Sequence, residues 1–391
     1  MFTEARTLGR FTALGRLTAL VAFTVLAIAT AAQSAAAMPV FAQRYRLTCG
    51  ACHTALPELN AFGNSFRNHG YRLPDAVPRH GTTGVALRYN LEYENAPAPG
   101  IRRYSESASI LGDEDIGRVN VYLHYGLGSG GAPAAVYLGF LSTYDAHTKE
   151  LYRLGLFEMP LTQSPGQRLD SISEYGYFGT AVGHNDLALN APRLGLETER
   201  GVGTATLIAT LAFGEFKGAA YGGKPVFTGA TTTAERPEIG LYARVPLTSD
   251  IGLNAQVIDG ARNVSLPGRA VFIDGYDRAG VGADFLFFKR TLDLTAQQWV
   301  GRDDDPDGAD NPADSSGGYL RLKYFMTPHL FAAVRYDAAA SPFPSRTLLQ
   351  YAGALVTKHA RVVIERRVNL LGGTPTFGGY LTIAAPWPFG L

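Results

Sequence analysis

From residue 84 to the C-terminus the chain is written with a period of two. Val119, Val121, Leu123 and Tyr125 alternate with Asn120, Tyr122 and His124, and Ile251, Leu253, Ala255 and Val257 alternate with Gly252, Asn254 and Gln256. Leu320, Leu322 and Tyr324 alternate with Arg321 and Lys323. Side chains on a strand point to opposite faces in turn, so each segment has one apolar and one polar face. About sixteen such segments of roughly ten residues can be counted, the length a tilted strand needs to cross an outer membrane. A soluble sandwich produces the same alternation, so the connections must decide.

The connections mostly alternate between short and long. Short turns fall near 129–132, 201–203, 247–250, 289–291, 327–329 and 357–359, and longer loops near 96–116, 217–236, 261–278, 302–316 and 339–346. Outer-membrane barrels have tight periplasmic turns and long external loops, whereas a sandwich has no reason to sort them. One connection disobeys: residues 159–172 are long yet count to the periplasmic side, which means a miscount or a segment that folds into the pore. Inward charges such as Arg321, Lys323 and Arg335 suit a wet lumen. Sending half of each strand's side chains inward also explains a mean hydropathy of −0.01 in a membrane-embedded chain. The 35 basic and 34 acidic residues leave no basic surface for nucleic acid.

The N-terminus has a different grammar. Arg6, Arg10 and Arg16 precede an apolar run from Leu17 to Ala32, and Ala35, Ala36 and Ala37 offer a small-residue cleavage site. That is the pattern of a secretory signal peptide over residues 1–37, and the run is short for a spanning helix of roughly 20 residues. Removing Glu4 with Arg6, Arg10 and Arg16 turns the net charge from +1 to −1.

The chain has two cysteines, both in Cys49-Gly50-Ala51-Cys52-His53. C-x-x-C-H is the attachment signature of c-type haem: each thiol adds to a vinyl group and the histidine supplies an axial imidazole. A thioredoxin-type pair would need a βαβ context, and zinc would need two further ligands, for which only His69 and His80 are near. Neither explains the histidine after the second cysteine. Leu56 to His69 reads as one helix, with Leu59, Phe62, Phe66 and His69 on one stripe; Gly70 suits its stop, and Pro74 and Pro78 start a stiff linker. A segment of some thirty residues has too little core to bury a haem alone, so it must lean on the pore.

Met38-Pro39-Val40-Phe41-Ala42, the C-x-x-C-H motif, Leu59-Asn60-Ala61-Phe62-Gly63, Phe66 and Gly70-Tyr71 resemble the fused monohaem cytochrome–porins of the bacterial outer membrane. That group includes the outer-membrane iron oxidases and relatives in metal-reducing bacteria. The resemblance is specific over residues 38–73; over the barrel it is architectural, apart from Phe157-Glu158 through Pro165. It implies a mainly β fold: a transmembrane antiparallel β-barrel of about 16 strands at 84–391 behind a short α-helical haem segment at 38–76. It further implies electron transfer across the outer membrane of a Gram-negative bacterium, from or to a periplasmic carrier such as a soluble cytochrome. The external partner is an electron donor or acceptor such as iron, and with iron(II) the chain would count as an oxidoreductase. The alternative is a diffusion porin in which the haem helix is a plug or redox gate.

Cys49, Cys52 and His53 carry the one covalent haem c. The distal position stays open among His69, Met38, His124, Met159 and an open or water-bound iron, since imidazole and thioether both ligate haem iron. His124 is expected to face the lumen near the periplasmic end. In one external loop Asp303, Asp305, Asp307, Gly308, Asn311 and Asp314 take positions 1, 3, 5, 6, 9 and 12 of a calcium loop, with aspartate replacing the final glutamate. An ordinary acidic, solvated loop reads the same way. No nucleophile, base and orienting group are recognisably spaced.

Overall fold

A strand that enters lipid must satisfy every backbone N–H and C=O within the protein, and a sheet does this only by closing on itself. This chain does so. The computed structural model describes residues 39–47, 49–55, 58–73, 84–95, 102–128, 134–161, 170–178, 182–185, 187–215, 231–341, 344–357 and 359–386. The expected leader, Met38 and the Pro74–Pro78 linker lie outside these residues.

Sixteen strands form one closed antiparallel barrel. They are β1 Val85–Asn95, β2 Arg102–Ile116, β3 Val119–Gly126, β4 Ala135–Asp145, β5 Glu150–Phe157, β6 Arg193–Val202, β7 Ala205–Glu215 and β8 Thr231–Pro246. Then follow β9 Ile251–Ser265, β10 Phe272–Phe287, β11 Leu292–Asp303, β12 Ala313–Thr327, β13 Leu330–Ser341, β14 Ser345–Thr357, β15 Ala360–Asn369 and β16 Thr376–Pro386. Each pairs with its sequence neighbours, and β16 closes on β1 with Leu381 opposite Leu91.

The connections sort by end with one exception. One end carries turns of two to four residues, 117–118, 146–149, 203–204, 247–250, 288–291, 328–329 and 358–359, and the other carries connections of six residues or more together with the short link 342–344. Gly117 (φ +62°) and Gly203 (φ +60°) open the two-residue turns after β2 and β6, where a hairpin needs a left-handed residue. Three connections were misread from sequence. Residues 102–116 are strand β2 rather than loop, because their Ser, Glu and Asp hide the alternation. Residues 127–134 join β3 to β4 at the long-loop end, not the turn end. The segment 158–192 joins β5 to β6 at that same end, so the exception expected there disappears.

The alternation fixes which face meets lipid. Leu320, Leu322 and Tyr324 point outward and are 45–52% exposed, while Arg321 and Lys323 between them are 0–1% exposed. The lumen-facing charges are therefore covered rather than wet.

Leu320 sits midway along β12 on the lipid face. Leu320→Arg should destabilise the barrel by about 2–4 kcal/mol, read as a lowered denaturant midpoint in lipid vesicles; an unchanged midpoint would place this face away from the bilayer.

Candidate functional site: an obstructed lumen

Two pieces of chain enter the barrel, one from each end. The first is the N-terminal segment. Helix α1 (Pro39–Tyr45) is followed by a single helical turn, α2 (Cys49–Cys52), then by a two-rung ladder pairing His53 with Leu59 and Ala55 with Glu58. Helix α3 covers only Ala61–Asn68, not Leu56–His69. Asn60 explains the later start: its side chain accepts from Gly63 N at 2.9 Å, the N-cap bond that begins a helix. The same residue ties α3 to α2, donating from its backbone to Cys52 O (2.9 Å) and from its side chain to Ala51 O (3.1 Å). Gly63 is obligatory here, because a Cβ would lie 2.1 Å from the Cys52 carbonyl oxygen.

Gly70 ends α3 with φ +66°, as the sequence suggested, and Tyr71 also takes a left-handed φ of +63°. The reversal lays the Tyr71 ring between Phe41 (4.7 Å) and Tyr122 of β3 (5.7 Å), and Tyr122 stacks on Phe140 of β4 at 5.1 Å. Phe66 closes the cluster edge-on to Phe41 and Tyr45. Plug and wall thus share one core that also includes Val40, Ala86, Leu111, Leu138 and Phe157. Phe62, by contrast, is 41% exposed, so the helix stripe is only partly used.

Charge fixes the register of this contact. Arg44 donates to Asp113 (2.6 Å) and to Asp115 on β2, while Arg72 donates to Asp115 (3.0 Å) and to the Gly117 and Arg118 carbonyls of the adjoining turn. Asn120 braces both aspartates, at 2.7 and 3.0 Å. Burial alone would lower the Arg44 pKa, but Asp113 and Asp115 outweigh it and raise it, so the guanidinium stays charged. Deeper in, burial of Arg67 is likewise outweighed, by Tyr71, Glu197, Glu199 and Glu158. The clamp at turn 117–118 places the segment at the turn-side mouth.

The second piece is the 158–192 connection. Asp170 meets Lys323 (2.6 Å) and Arg321 (3.3 Å) of β12 and accepts from Tyr351 OH (3.2 Å) on β14. Arg335 of β13 donates to Ser171 Oγ (2.8 Å) and to the carbonyls of Ser173 (3.0 Å) and Glu174 (2.8 Å). Glu365 of β15 accepts from Ile172 N at 2.9 Å and from Ser173. Further along, Tyr175 packs on Tyr319 (4.2 Å), and Tyr177 and Phe178 pack on Trp299. The connection therefore leaves β5, crosses the lumen to β10–β15 and returns to β6. Burial pushes the Asp170 carboxyl up, but Lys323, Arg321 and Arg335 outweigh it and hold it below the usual carboxylate range.

Residues 49–52 make one helical turn, so the two cysteine positions, three apart, share a face. Cys52 is buried, and that burial pushes its thiol pKa up. His69 caps α3, with Nδ1 2.5 Å from Ser65 O and its ring 4.5 Å from Tyr144. His124 is buried and lumen-facing, but β3 runs from the turn end, which puts it in the half nearer the long loops; its Nε2 lies 3.0 Å from Arg88. Met159 packs in the crossing loop's apolar cluster. Among the described residues no three His, Cys, Asp or Glu side chains are grouped to hold a metal ion.

In the 303–314 stretch, Asp303 turns inward to Arg278 (2.8 Å) and Asn185 (3.3 Å), whereas Asp314 is exposed on the outer face. Asp305 and Asp307 accept from Asp310 N and Ala309 N within the loop. The strands that end in Asp303 and begin before Asp314 turn those two carboxylates to opposite faces, so the six positions do not converge. The ties of Arg44, Arg72 and Asp170 escaped sequence reading because their partners lie 69, 43 and 151 residues away.

Solved structures similar to this barrel include outer-membrane channels and porins. The fold is that of a porin-type barrel. An anion-selective porin from Comamonas acidovorans matches with TM-score 0.55 and 13% identity over 77% of this chain and 98% of its own. The outer-membrane channel DcaP of Acinetobacter baumannii gives 0.53 and 11% over 78% and 98%, and a loop-deletion mutant of Vibrio cholerae OmpT gives 0.53 and 12% over 78% and 99%. No protein-family model matches the chain, and no curated protein matches it.

Asp170→Asn would remove the carboxylate 2.6 Å from Lys323, whose side chain is 0% exposed. It should cost about 3 kcal/mol, the range for breaking a buried pair, read by thermal unfolding in detergent. Because the native pKa is depressed, this contribution is present above the ordinary value of about 3.9 and lost as pH falls through the native one. The difference between wild type and variant should stay flat from about pH 8 to 5 and shrink only in stronger acid.

Proposed function

We propose that this chain is an outer-membrane channel of porin type whose lumen is closed from the periplasmic side by its own N-terminal segment. The observation that carries the reading is the shared core of Phe41, Phe66, Tyr71, Tyr122 and Phe140, locked by Arg44 and Arg72 onto Asp113 and Asp115. A sixteen-strand barrel otherwise leaves an aqueous passage. With the plug seated, solute passage requires the plug to move or the gap beside it to suffice.

A second reading is favoured by what the plug contains. Both cysteines of the chain, at C-x-x-C-H spacing, sit in it. Their residues suit covalent haem c: a single helical turn presents both cysteine positions to one side, and the Cys52 site is shielded from water. Cys49 and Cys52 would hold the vinyl carbons and His53 would be the axial ligand. Haem bound there would supply a one-electron centre. The chain's own contribution is to fix the segment against β1–β5 through the aromatic cluster, to bury the Cys52 position, and to separate it from the long-loop side by the 158–192 crossing. On this reading the chain passes electrons between a periplasmic carrier and an external donor or acceptor such as iron.

Deleting residues 39–73 while keeping residues 1–38 should raise conductance in planar bilayers several-fold; an unchanged conductance would defeat the plug. Cys49→Ala with Cys52→Ala should abolish haem staining of the denatured chain while heat-modifiable gel mobility of the barrel persists. Haem retained through denaturation in that double variant would end the second reading and leave the first standing.

A further inference from the structure

The outer face of the barrel carries charge in two different ways. On β8–β11 the outward arginines stand beside acids. Arg236 meets Asp259, and Arg302 lies 3.9 Å from Asp304 and shares a surface hollow with Asp277 and Asp314. On β13–β16 the acids all turn the other way. Asp337 and Glu365 face the lumen, where Asp337 pairs with Arg335 and Glu365 accepts from Ile172 N. Leu349 and Tyr351 also face inward, so the alternation sends Arg346 and Gln350 of β14 outward. On β15 the exposed Ile364 puts Arg366 on the same outer face.

Among the described residues neither Arg346 nor Arg366 has a carboxylate within ion-pair distance; Arg366 donates to the neutral Gln350 at 2.7 Å. The connections at this end supply no acid either, because 96–101, 342–344 and 370–375 contain no ionisable side chain. Gln350 lies opposite Arg366, and Arg346 is four residues further along β14, about 13 Å towards the long-loop end. Two long side chains can narrow that gap from both sides.

The surroundings set the depth. Arg366 lies opposite Phe377 of β16, and Leu348, between Arg346 and Gln350, lies opposite Tyr336 of β13. Tyr336 and Phe377 are exposed on the outer face, and outward aromatics mark the level at which a barrel passes from hydrocarbon to headgroups. Towards the turn end the same face continues as Val334, Ala352, Ile364 and Leu381, which are uncharged. A guanidinium on such a wall lays its stem along apolar surface and holds its head at the polar boundary. There its planar fork matches phosphate oxygens, which it can take two at a time.

We propose that the outer face of β14–β15 binds a phosphorylated lipid of the external leaflet, with Arg346 and Arg366 on the headgroup phosphates and Val334, Ile364 and Phe377 against the acyl chains. The proposal goes beyond the channel reading, and takes from it the outer-membrane placement that puts the long-loop end outside.

The test uses purified full-length protein in detergent and native mass spectrometry, with lipid A and dephosphorylated lipid A of the same acyl chains as probes. Lipid A should bind at least tenfold more tightly than its dephosphorylated form, and inorganic phosphate at millimolar concentration should not displace it. Arg346→Ala and Arg366→Ala should each weaken lipid A about fivefold, the scale of one basic side chain at an anionic surface. The double alanine variant should weaken it more than tenfold, with most of the affinity restored when both positions carry lysine. Arg302→Ala, on β11, should change nothing. Equal binding of the two lipids, affinity indifferent to both arginines, or displacement by inorganic phosphate would overturn the site. Failure of the outer-membrane placement shows instead as recovery of the protein with inner-membrane fractions, with the contrast between the two lipids intact in detergent.

Discussion

The structure depends on one requirement: a strand in lipid can leave no backbone group unpaired. Closure of β16 on β1 meets it, and closure commits alternate residues of every strand to the interior. In this chain those residues are not a uniform water-loving lining. Arg321, Lys323, Arg335 and His124 are each 1% exposed or less, because chain from each end fills the space in front of the wall. Meeting the lipid requirement thus creates a second one, that the enclosed charges find partners.

The partners come from opposite directions. The 158–192 connection brings one carboxylate, Asp170, to a basic stretch of β12 and hydroxyl and carbonyl groups to Arg335. The N-terminal segment does the reverse, carrying arginines to acidic residues of β2. These signs suit each insert to its own arc of wall and oppose exchange between them, since like charges placed together would be repelled. Obstruction of the lumen therefore follows from a complementary distribution of charge as much as from volume.

How much of this was legible in the sequence follows from range. The strands were visible wherever apolar and polar residues alternate strictly, as on β3, β9 and β12. They were invisible on β2, where Arg102–Ile116 is polar on both faces at its outer end. Omitting β2 hid the turn at 117–118 and shifted the sides assigned to 127–134 and 158–192. Gly70 announced the end of α3, but its start was hidden: Leu59 fits the helical stripe by spacing, and only the Asn60 cap and the ladder to His53 exclude it. The cysteine motif was legible because it is local. The Arg44, Arg72 and Asp170 ties were not, because nothing near them in sequence names their partners.

The relative weights of packing and charge decide what kind of plug this is. Arg44 and Asp113 are both largely withdrawn from water, and the desolvation of such a pair consumes most of what its attraction returns. The net hold on the segment must then come chiefly from its aromatic core, where Phe41, Phe66 and Tyr71 bury large apolar surface against Tyr122 and Phe140. The ion pairs contribute direction instead: a sliding or rotated segment would strand a buried Arg44 without Asp113, which costs far more than the pair contributes when intact. Aromatic stacking alone tolerates many offsets, and paired charges tolerate few. The combination holds a segment of three short helices, too small to be stable alone, at one depth in the lumen. It also fixes where the Cys49–His53 turn stands relative to the wall, because Asn60 and Gly63 couple that turn to α3.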